Sequence, residues 1–491
     1  MTDICLISPP GRAYNHFRPP LALMLLSSYL EKNGIRTEIV DVKSETGDEK
    51  EKKAIVSSIL EQVKKTGAPI VGVPCYTPEF KEIIDLCHAI RQGNPGVKIV
   101  VGGVHATLKS EEFFFEGSPI DYAVIGEGEL TLLELVKSIK SGTGDFSKVM
   151  GIAFYDKAQE GLIKTKPRPL IHDLDEMPFP DYSKVDMKYY TTPNPYNVRG
   201  MLLSSFYVLV GRGCPSQCTF CVSAELRKIM ASGKTLRCRS AKNVVDEIEF
   251  LKQNYSIDGF YFIDDNFTLL PKLVEEICEE MIRRNLNLTW ACSSRINTLS
   301  ENLLSKMKRA GCFQIDLGVE SGSEAVLKRL KKGINVNQIK EVFRLCHKIG
   351  MRTFCNILIN IPDETEEELN ETLRLLDEIK PSVTSFNIFI PFLGTEIYAN
   401  SGLTLGPADY YYLSLPPREL VKEKRFRFAR HEIDFSQFYS ANHKKYNSPL
   451  VFLPSYCSKP YLTQIMRSKR KKDYFFQVGL LAKEFVKQIS Q

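Results

Sequence analysis

Residues 211–223 read GRGCPSQCTFCVS and bring three cysteines, Cys214, Cys218 and Cys221, into one short loop. Soft thiolate ligands suit iron–sulfur chemistry, and the spacing CxxxCxxC lets three of them hold one corner of a four-iron cubane. Three ligands leave the fourth iron open for another molecule. A structural zinc site commonly uses four ligands, often as two pairs, and the sequence has no second CxxC. The loop therefore predicts a 4Fe–4S cluster on these three cysteines.

The cysteine loop follows a predicted strand, Phe206–Val210, and five more strand–helix units come after it. Their predicted strands are Gly259–Ile263, Leu288–Cys292, Gln314–Val319, Thr353–Ile359 and Ser385–Ile390. Six units in a row predict a partial (β/α)6 barrel of the TIM type, because eight units are needed to close one. Chemistry in such barrels lies at the C-terminal ends of the strands, and this is where the polar motifs of the sequence fall.

Residues 1–150 alternate predicted strands with helices, which indicates a doubly wound, Rossmann-like α/β domain. The predicted strands are Ile4–Ser8, Thr37–Val42, Ile70–Pro74, Lys98–Val101 and Tyr122–Ile125. In the segment 151–202 a predicted strand, Gly151–Tyr155, leads into a proline-rich stretch that is predicted to be an extended linker laid over a neighbouring surface. Residues 203–404 hold the predicted barrel. Residues 405–491, which are aromatic and basic, are predicted to form a small, mostly helical C-terminal domain.

The chain has 491 residues, 13 cysteines and a net charge of +6. A chain of this length can bury large cores without disulfides, and its N-terminus does not read as a secretory signal. The longest apolar run, Leu21–Leu26, is too short to cross a bilayer. We therefore expect a cytoplasmic protein with reduced thiols and no membrane span. The charge is mild and diffuse, so we expect no binding of nucleic acid.

A CxxxCxxC motif after the first strand of a six-unit barrel resembles the pattern of the radical S-adenosylmethionine (SAM) enzymes. The resemblance implies that the open iron binds SAM and that one electron from the reduced cluster yields a 5′-deoxyadenosyl radical. It also implies roles for residues near the strand ends. Phe220 would pack on adenine. Asp264 and Asp265, in FIDDNF, would contact the methionine part of SAM, and Arg295 would meet its carboxylate.

The same resemblance implies that Glu320, in GVESGS after the fourth strand, binds the ribose or amino group of SAM, with Ser321 beside it. Each motif alone has a structural alternative: the aspartates and Ser321 could cap helices, and Arg295 could form a surface ion pair. Because these motifs follow successive strands at the same edge of the predicted barrel, together they indicate one shared ligand. The turn after the fifth strand carries Asp363 where the family usually has glycine, and aspartate tolerates such a turn nearly as well.

Residues 1–150 resemble the cobalamin-binding domains that are fused to radical SAM barrels. The resemblance rests on ISPP (7–10), VGVPCYT (71–77), VVGGVHAT (100–107) and DYAVIGEGELT (121–131). It implies cobalamin contacts at Pro9, Thr77, Gly102, Gly103, His105, Gly126, Glu127 and Gly128. The sequence has no DxHxxG motif, and His16 lacks the accompanying aspartate and glycine. We therefore predict cobalamin without a histidine below cobalt, with a vestigial or substrate-binding domain as the alternative.

The combined resemblance implies an enzyme that methylates an unactivated carbon of a natural product, lipid or pigment with the help of cobalamin. A cyclase or oxidase of the anaerobic tetrapyrrole or lipid type is the alternative with the same parts. A methylthiotransferase would need a second cluster, and Cys5, Cys75 and Cys87 do not resemble one. A non-catalytic cobalamin or redox sensor would not need the strand-end residues. The expected partners are a small-molecule or lipid substrate and an electron donor such as flavodoxin or ferredoxin.

Overall fold

The computed structural model describes residues 2–9, 18–43, 49–142, 145–230, 236–415, 417–447 and 454–479. The prediction made for His16 lies outside these residues. The chain divides into two compact units. The first comprises Met1–Asp186, Phe220–Thr235 and Pro391–Pro416, and the second comprises Met187–Thr219, Leu236–Ile390 and Pro417–Gln491.

The first unit is built on a seven-stranded sheet with the order β2-β1-β3-β4-β5-β6-β7. Its strands are β1 Ile4–Ser8, β2 Thr37–Asp41, β3 Ile70–Pro74, β4 Lys98–Gly102, β5 Tyr122–Val124, β6 Ile152–Asp156 and β7 Gly161–Lys164. Pairs among the first five strands are parallel, and helices connect them. This confirms the predicted doubly wound domain. The last two strands are antiparallel to their neighbours.

The second unit contains a six-stranded, all-parallel sheet with the order β15-β14-β13-β12-β11-β8. Its strands are β8 Ser205–Val208, β11 Gly259–Phe262, β12 Thr289–Ser294, β13 Cys312–Glu320, β14 Arg352–Ile359 and β15 Val383–Ile388. The sequential order and the parallel pairing confirm the partial barrel. A separate antiparallel ribbon, β9 Gly211–Arg212 with β10 Arg237–Cys238, was not predicted.

The helices have the following bounds in chain order: α1 Leu21–Lys32, α2 Glu49–Thr66, α3 Phe80–Gly93, α4 Val104–Lys109, α5 Gly128–Ser141, α6 Met187–Tyr190, α7 Ser223–Ile229, α8 Ala241–Tyr255, α9 Pro271–Arg283, α10 Glu301–Arg309, α11 Glu324–Arg329, α12 Val336–Ile349, α13 Glu366–Ile379, α14 Glu396–Asn400, α15 Pro417–Leu420, α16 Phe435–Tyr446 and α17 Lys459–Arg467. A further helix spans 471–479. Local sequence sets several ends: Asn335 and Thr365 form capping boxes before α12 and α13.

The core of the barrel lies between the outward-facing side of its strands and the helices. Phe262 stacks on Phe267 with ring centroids 4.1 Å apart, and both pack against Trp290. Trp290 is the only tryptophan of the chain and is fully buried, with its indole N–H donating to the Ala310 carbonyl. The fluorescence of Trp290 therefore reports on the folding of the barrel.

The segment 151–202 begins with the predicted strand, observed as β6, and adds β7, which was not predicted. Its first part forms β6 and β7, which extend the sheet of the first unit beyond β5. The next part lies along α1 as predicted for an extended chain: the Asp181 amide donates to the Met24 carbonyl at 3.0 Å, and Lys32 donates to the Glu176 carbonyl at 2.7 Å. The compact units therefore cut across the predicted bounds 1–150, 151–202, 203–404 and 405–491, and the described residues between 417 and 479 group with the barrel.

Among the described residues, no helix is long and apolar enough to cross a membrane.

Candidate active site

The backbone at the start of the cysteine loop is held by a short β-ribbon and by the side chain of Asp264. The ribbon of β9 and β10 joins the two ends of the segment that carries the cysteines. Gly211 lies so close to β10 that an added Cβ would come within 2.7 Å of the Cys238 sulfur. The carboxylate of Asp264 accepts hydrogen bonds from the amides of Val210 at 3.1 Å and Gly211 at 2.6 Å. Asp264 therefore ties the end of β11 to the start of the cysteine loop.

Burial raises the pKa of Asp264 to about 7, against the opposing effect of its two backbone N–H donors. Its neighbour Asp265 is exposed. The sequence assigned both aspartates to the SAM site, but the structure gives them different surroundings. Asp264 accepts hydrogen bonds from the backbone, whereas Asp265 is exposed to solvent. Both assignments to SAM stay predictions.

Cys218 is buried and contacts a cation. The Arg295 guanidinium, at the end of β12, donates to the Cys218 sulfur at 3.1 Å and also bonds the Lys332 carbonyl. The next residue, Thr219, donates its amide to the Leu330 carbonyl at 3.1 Å. The sequence placed Arg295 near the SAM carboxylate, and in the structure it lies beside a predicted cluster ligand. Hydrogen bonds to the sulfurs are among the factors that set the potential of an iron–sulfur cluster.

The described residues contain no preassembled group of three His, Cys, Asp or Glu side chains placed to hold a metal ion. The assignment of a 4Fe–4S cluster rests instead on the thiol groups that the loop offers as ligands. Cys214 and Cys221 are partly accessible, whereas most of the other cysteines are buried. Burial raises the pKa of the Cys5 and Cys87 thiols to about 12, which keeps them protonated. Three thiols in a loop fit a 4Fe–4S cluster, and these core thiols do not form a second ligand set.

Glu320 lies at the end of β13 in a strained position. Its φ of 67° is in the left-handed region, which is uncommon for a side chain of this kind. Its carboxylate is buried and pairs with Lys332, also buried, at 2.6 Å. Gly318 leaves room for this pair, since an added Cβ there would come within 2.6 Å of both partners' polar atoms. Residues held in such conformations cluster at ligand sites.

Ser321 and the residues after it form the turn into α11. The Ser321 hydroxyl is within 3.0 Å of the Thr372 hydroxyl and accepts from the Ser323 amide at 3.1 Å. Ser321 is fully buried. Its side chain therefore supports the turn that places Glu320, and a direct contact of Ser321 with SAM stays a prediction.

The turn after β14 confirms the expectation for Asp363. Asp363 has a φ of 60° and Asn360 a φ of 69°, so both occupy the conformation in which glycine is most common. The Asn360 side chain donates to the carbonyls of Phe389 and Phe426 and accepts from the Phe428 amide at 2.9 Å. Asn360 thus joins the end of β14 to the end of β15 and to the segment after α15.

A polar cluster inside the barrel was missed by the sequence analysis. Tyr261 donates to the Asp316 carboxylate at 2.9 Å and lies 2.7 Å from the Ser293 hydroxyl. Gln314 donates to Asp316 at 2.7 Å, and the Arg199 guanidinium lies 3.7 Å from it. Burial raises the pKa of both Asp316 and Tyr261. A signal was present: in QIDLGVE the polar residues 314, 316 and 320 alternate along one face of a buried strand.

The carboxyl edge of the first sheet carries the predicted cobalamin residues. The order β2-β1-β3-β4-β5 has its topological switch point between β1 and β3, and ligands of such sheets bind outside the carboxyl ends near this point. Gly103 has a φ of 90° and lies against the backbone of Cys75. The Thr107 hydroxyl donates to the Gly103 carbonyl at 2.9 Å and accepts from the Gly126 amide at 3.0 Å. Thr107 therefore links the turn at Gly103 to the turn at Gly126, both of which carry predicted cobalamin residues.

The other predicted cobalamin residues differ in accessibility. Pro9, Gly102, Glu127 and Gly128 are partly exposed at this edge. His105 is fully buried among aromatic rings, where it lies 3.1 Å from the Thr77 hydroxyl and 3.5 Å from Glu112. Glu112 accepts from the Tyr410 hydroxyl at 2.8 Å. His105 and Thr77 thus form part of a packed polar cluster in this structure, and their contact with cobalamin stays a prediction.

Comparison with known families finds two family models that match different parts of the chain. Residues 208–376 match the family model of the radical SAM superfamily, and residues 12–136 match that of the B12 binding domain. An uncharacterized methyltransferase of Pyrococcus horikoshii is 31% identical over 80% of this chain and 82% of its own length. The chain belongs to the radical SAM enzymes that carry a B12-binding domain. This confirms the prediction of an enzyme with a 4Fe–4S cluster, SAM and cobalamin as cofactors.

Other relatives of this radical SAM enzyme include a methyltransferase and a cyclase. A cytidylyl-2-hydroxyethylphosphonate methyltransferase of Streptomyces wedmorensis is 27% identical, with 80% of each chain covered. An anaerobic magnesium-protoporphyrin IX monomethyl ester cyclase of Rubrivivax gelatinosus is 28% identical and covers 78% of this chain and 66% of its own. Among solved structures, the methyltransferase TsrM of Kitasatospora setae matches with a TM-score of 0.66 at 21% identity, covering 82% of this chain and 76% of TsrM. That match supports the fold.

Proposed function

We propose that this radical SAM enzyme transfers a methyl group by way of cobalamin to an unactivated carbon of a natural product, lipid or pigment. The observation that carries the proposal is the presence of a B12-binding domain and a radical SAM barrel in one chain. When bound, the cluster and SAM supply a 5′-deoxyadenosyl radical and cobalamin supplies a methyl group. Relatives that match over most of their length include methyltransferases, which supports this reading.

In this proposal Cys214, Cys218 and Cys221 hold the cluster. Arg295 contacts the sulfur of Cys218 and positions the loop. Glu320 is the principal SAM residue, because its carboxylate is held in one orientation by Lys332 at a strand end. Phe220, Asp264, Asp265 and Ser321 complete the proposed SAM set, with Asp264 and Ser321 acting through the backbone they hold.

The polar side chains of Tyr261, Ser293 and Asp316 lie on the inward-facing side of the barrel strands. We therefore assign this polar group to the part of the site that binds the substrate. Ser293 is partly accessible and leads through the Tyr261 hydroxyl to the buried Asp316. These groups offer hydrogen bonds to a substrate that carries polar atoms near the reacting carbon. Pro9, Thr77, Gly102, Gly103, His105, Gly126, Glu127 and Gly128 form the proposed cobalamin set. A low-potential electron donor such as flavodoxin or ferredoxin would reduce the cluster.

The test is to count the products that SAM yields. A methylase of this kind uses two SAM molecules per turnover, one giving 5′-deoxyadenosine and the other S-adenosylhomocysteine. Reconstituted protein with cobalamin, reductant, SAM and an extract of the source cells should form both products in nearly equal amounts. Cys218→Ala is the matched control and should release no 5′-deoxyadenosine. If 5′-deoxyadenosine forms alone and no cobalamin is retained, the methylase proposal fails and the cyclase or oxidase alternative replaces it.

A further inference from the structure

The last described residues of the chain, 459–479, expose an unusual group of side chains. Phe475, Met466 and Phe476 are 78%, 72% and 66% exposed, and no other large apolar side chain of the described residues is as accessible. Val478 and Leu462, at 54% and 47%, belong to the same segment. We call these five residues, together with the exposed basic residues Arg467, Lys469, Lys471 and Lys472, the C-terminal surface. An exposed apolar group of this kind in a folded protein indicates a contact with another molecule.

The direction of these side chains is fixed by buried anchors on the other side of the segment. The Tyr474 hydroxyl donates to the Asp258 carboxylate at 3.0 Å, and the Ser468 hydroxyl donates to it at 2.6 Å. Tyr461 donates to the Leu202 carbonyl at 2.8 Å, and Arg470 donates to the Thr191 hydroxyl at 2.9 Å. These anchors hold one side of the segment against the barrel, while Leu462, Met466, Phe475, Phe476 and Val478 remain exposed to solvent.

The outward face combines cations with apolar groups. Lys469, Lys471 and Lys472 are exposed, and within the described part of the chain they form no ion pair. In the helix 471–479 each of the last two lysines lies one turn before a phenylalanine, Lys471 before Phe475 and Lys472 before Phe476. Residues four apart lie on the same face of a helix. Leu462 and Met466 have the same spacing in α17.

A groove beside this face adds to the positive charge. It is lined by the residues 468–473, by Lys188 near the start of the second unit, and by 254–256 at the end of α8. Its acidic residue, Asp473, is paired with Arg470 at 3.4 Å. The groove is therefore suited to phosphate groups, and the exposed apolar side chains flank its residues 468–473 in sequence on both sides.

We propose that the C-terminal surface binds the face of an anionic phospholipid membrane. The basic residues would contact lipid phosphates, and Phe475, Phe476 and Met466 would enter the boundary between headgroups and acyl chains. A nucleic acid would use the cations and could stack on aromatic rings, but it would leave Leu462, Met466 and Val478 in water. A membrane accounts for both kinds of side chain. No residue of this surface belongs to the proposed cofactor sites, so the inference is independent of the reaction.

The test is sedimentation of the full-length protein with vesicles. Wild-type protein should bind vesicles that contain phosphatidylglycerol and phosphatidylcholine, and should bind pure phosphatidylcholine at least tenfold more weakly. The double variant Phe475→Ser/Phe476→Ser should weaken binding at least tenfold. Lys471→Glu/Lys472→Glu should do the same and should also reduce the sensitivity of binding to salt. The matched control is Tyr155→Ser/Lys157→Glu, an exposed aromatic and a lysine on β6 and just after it, which should bind as wild type.

Each variant is checked by the fluorescence of Trp290, which is buried in the barrel and should remain unchanged. Three results would overturn the proposal. The first is wild-type binding by both double variants. The second is no vesicle binding by a wild-type protein that is dimeric and that the phenylalanine variant makes monomeric, because the surface would then join two copies. The third is binding only after residues 480–491 are removed, because that segment would then be the occupant.

Discussion

Cys218 and Cys278 are both buried cysteines of the same unit, but their surroundings differ. Cys218 lies in a loop with two accessible cysteines and an arginine on its sulfur. Cys278 packs inside α9, where burial raises the pKa of its thiol. Reconstituted wild-type protein should therefore hold about four irons on the loop. Cys214→Ala, Cys218→Ala and Cys221→Ala should each abolish the iron-dependent absorbance, and Cys278→Ala should retain it.

The measurement is iron content together with the visible spectrum of anaerobically reconstituted protein. Cys457→Ala, at an exposed cysteine, is a second control. Undiminished iron in a variant that lacks all three loop cysteines would contradict the assignment.

Glu320 gives a prediction about SAM. Glu320→Gln keeps the size of the side chain but removes the charge that pairs with Lys332. We expect SAM to bind at least about tenfold more weakly, equivalent to about 1.4 kcal/mol. The cluster should stay in place because no cysteine is altered. The measurement is SAM affinity by equilibrium dialysis, followed by release of 5′-deoxyadenosine.

Breaking a buried ion pair can cost about 3–5 kcal/mol of stability. Unfolding of Glu320→Gln must therefore be followed by Trp290 fluorescence, so that lost binding is separated from lost folding. Glu341→Gln breaks an exposed ion pair with Arg344 and should change neither property. Wild-type SAM affinity in folded Glu320→Gln would remove Glu320 from the site.

At the scale of elements, the short ribbon of β9 and β10 carries the cysteine loop. Gly211→Ala would place a Cβ 2.7 Å from the Cys238 sulfur and 2.9 Å from the Arg237 carbonyl oxygen. The ribbon must shift to relieve this contact, at a cost of about 1–3 kcal/mol. We expect lower iron content and weaker SAM binding. Gly93→Ala, at a position with open space around it, should leave both unchanged.

The elements also show where sequence reasoning succeeds. All six barrel strands were predicted within two residues of their observed ends, because each is a buried apolar run followed by a polar turn. The ribbon and β7 were missed. β9 and β10 have two residues each, and β7, with the sequence GLIK, is half exposed at the edge of its sheet. Strands this short or this exposed bury too little apolar surface to leave a pattern.

At the scale of the whole molecule, the described residues between 417 and 479 belong to the same compact unit as the barrel strands. Tyr474 illustrates the connection: its hydroxyl donates to Asp258 and accepts from the Ser204 amide at 2.9 Å. Tyr474→Phe would leave this buried amide without its acceptor, which costs about 1–3 kcal/mol. We expect the barrel and the C-terminal segment to unfold together at a lower denaturant concentration.

Unfolding in urea followed by Trp290 fluorescence measures this change, because the tryptophan lies in the barrel and the altered residue lies far along the chain. Tyr155→Phe, at an exposed tyrosine of the first unit, should have no effect. A separate early transition that leaves Trp290 unaffected would show instead that the C-terminal segment folds independently.

The sequence by itself determined the two fold classes and the cysteine motif, because strand periodicity and ligand spacing are local properties of the chain. SAM and cobalamin followed from the resemblance of these motifs to known families. Only the tertiary structure decided which polar residues meet. Asp264 bonds the backbone of residues 210 and 211, and Glu320 pairs with Lys332. The cluster around Asp316 draws on residues from Arg199 to Gln314. Apart from Gln314 and Asp316, which alternate on one strand, these partners lie on different segments and meet only when the strands align in register, so no local pattern could name them.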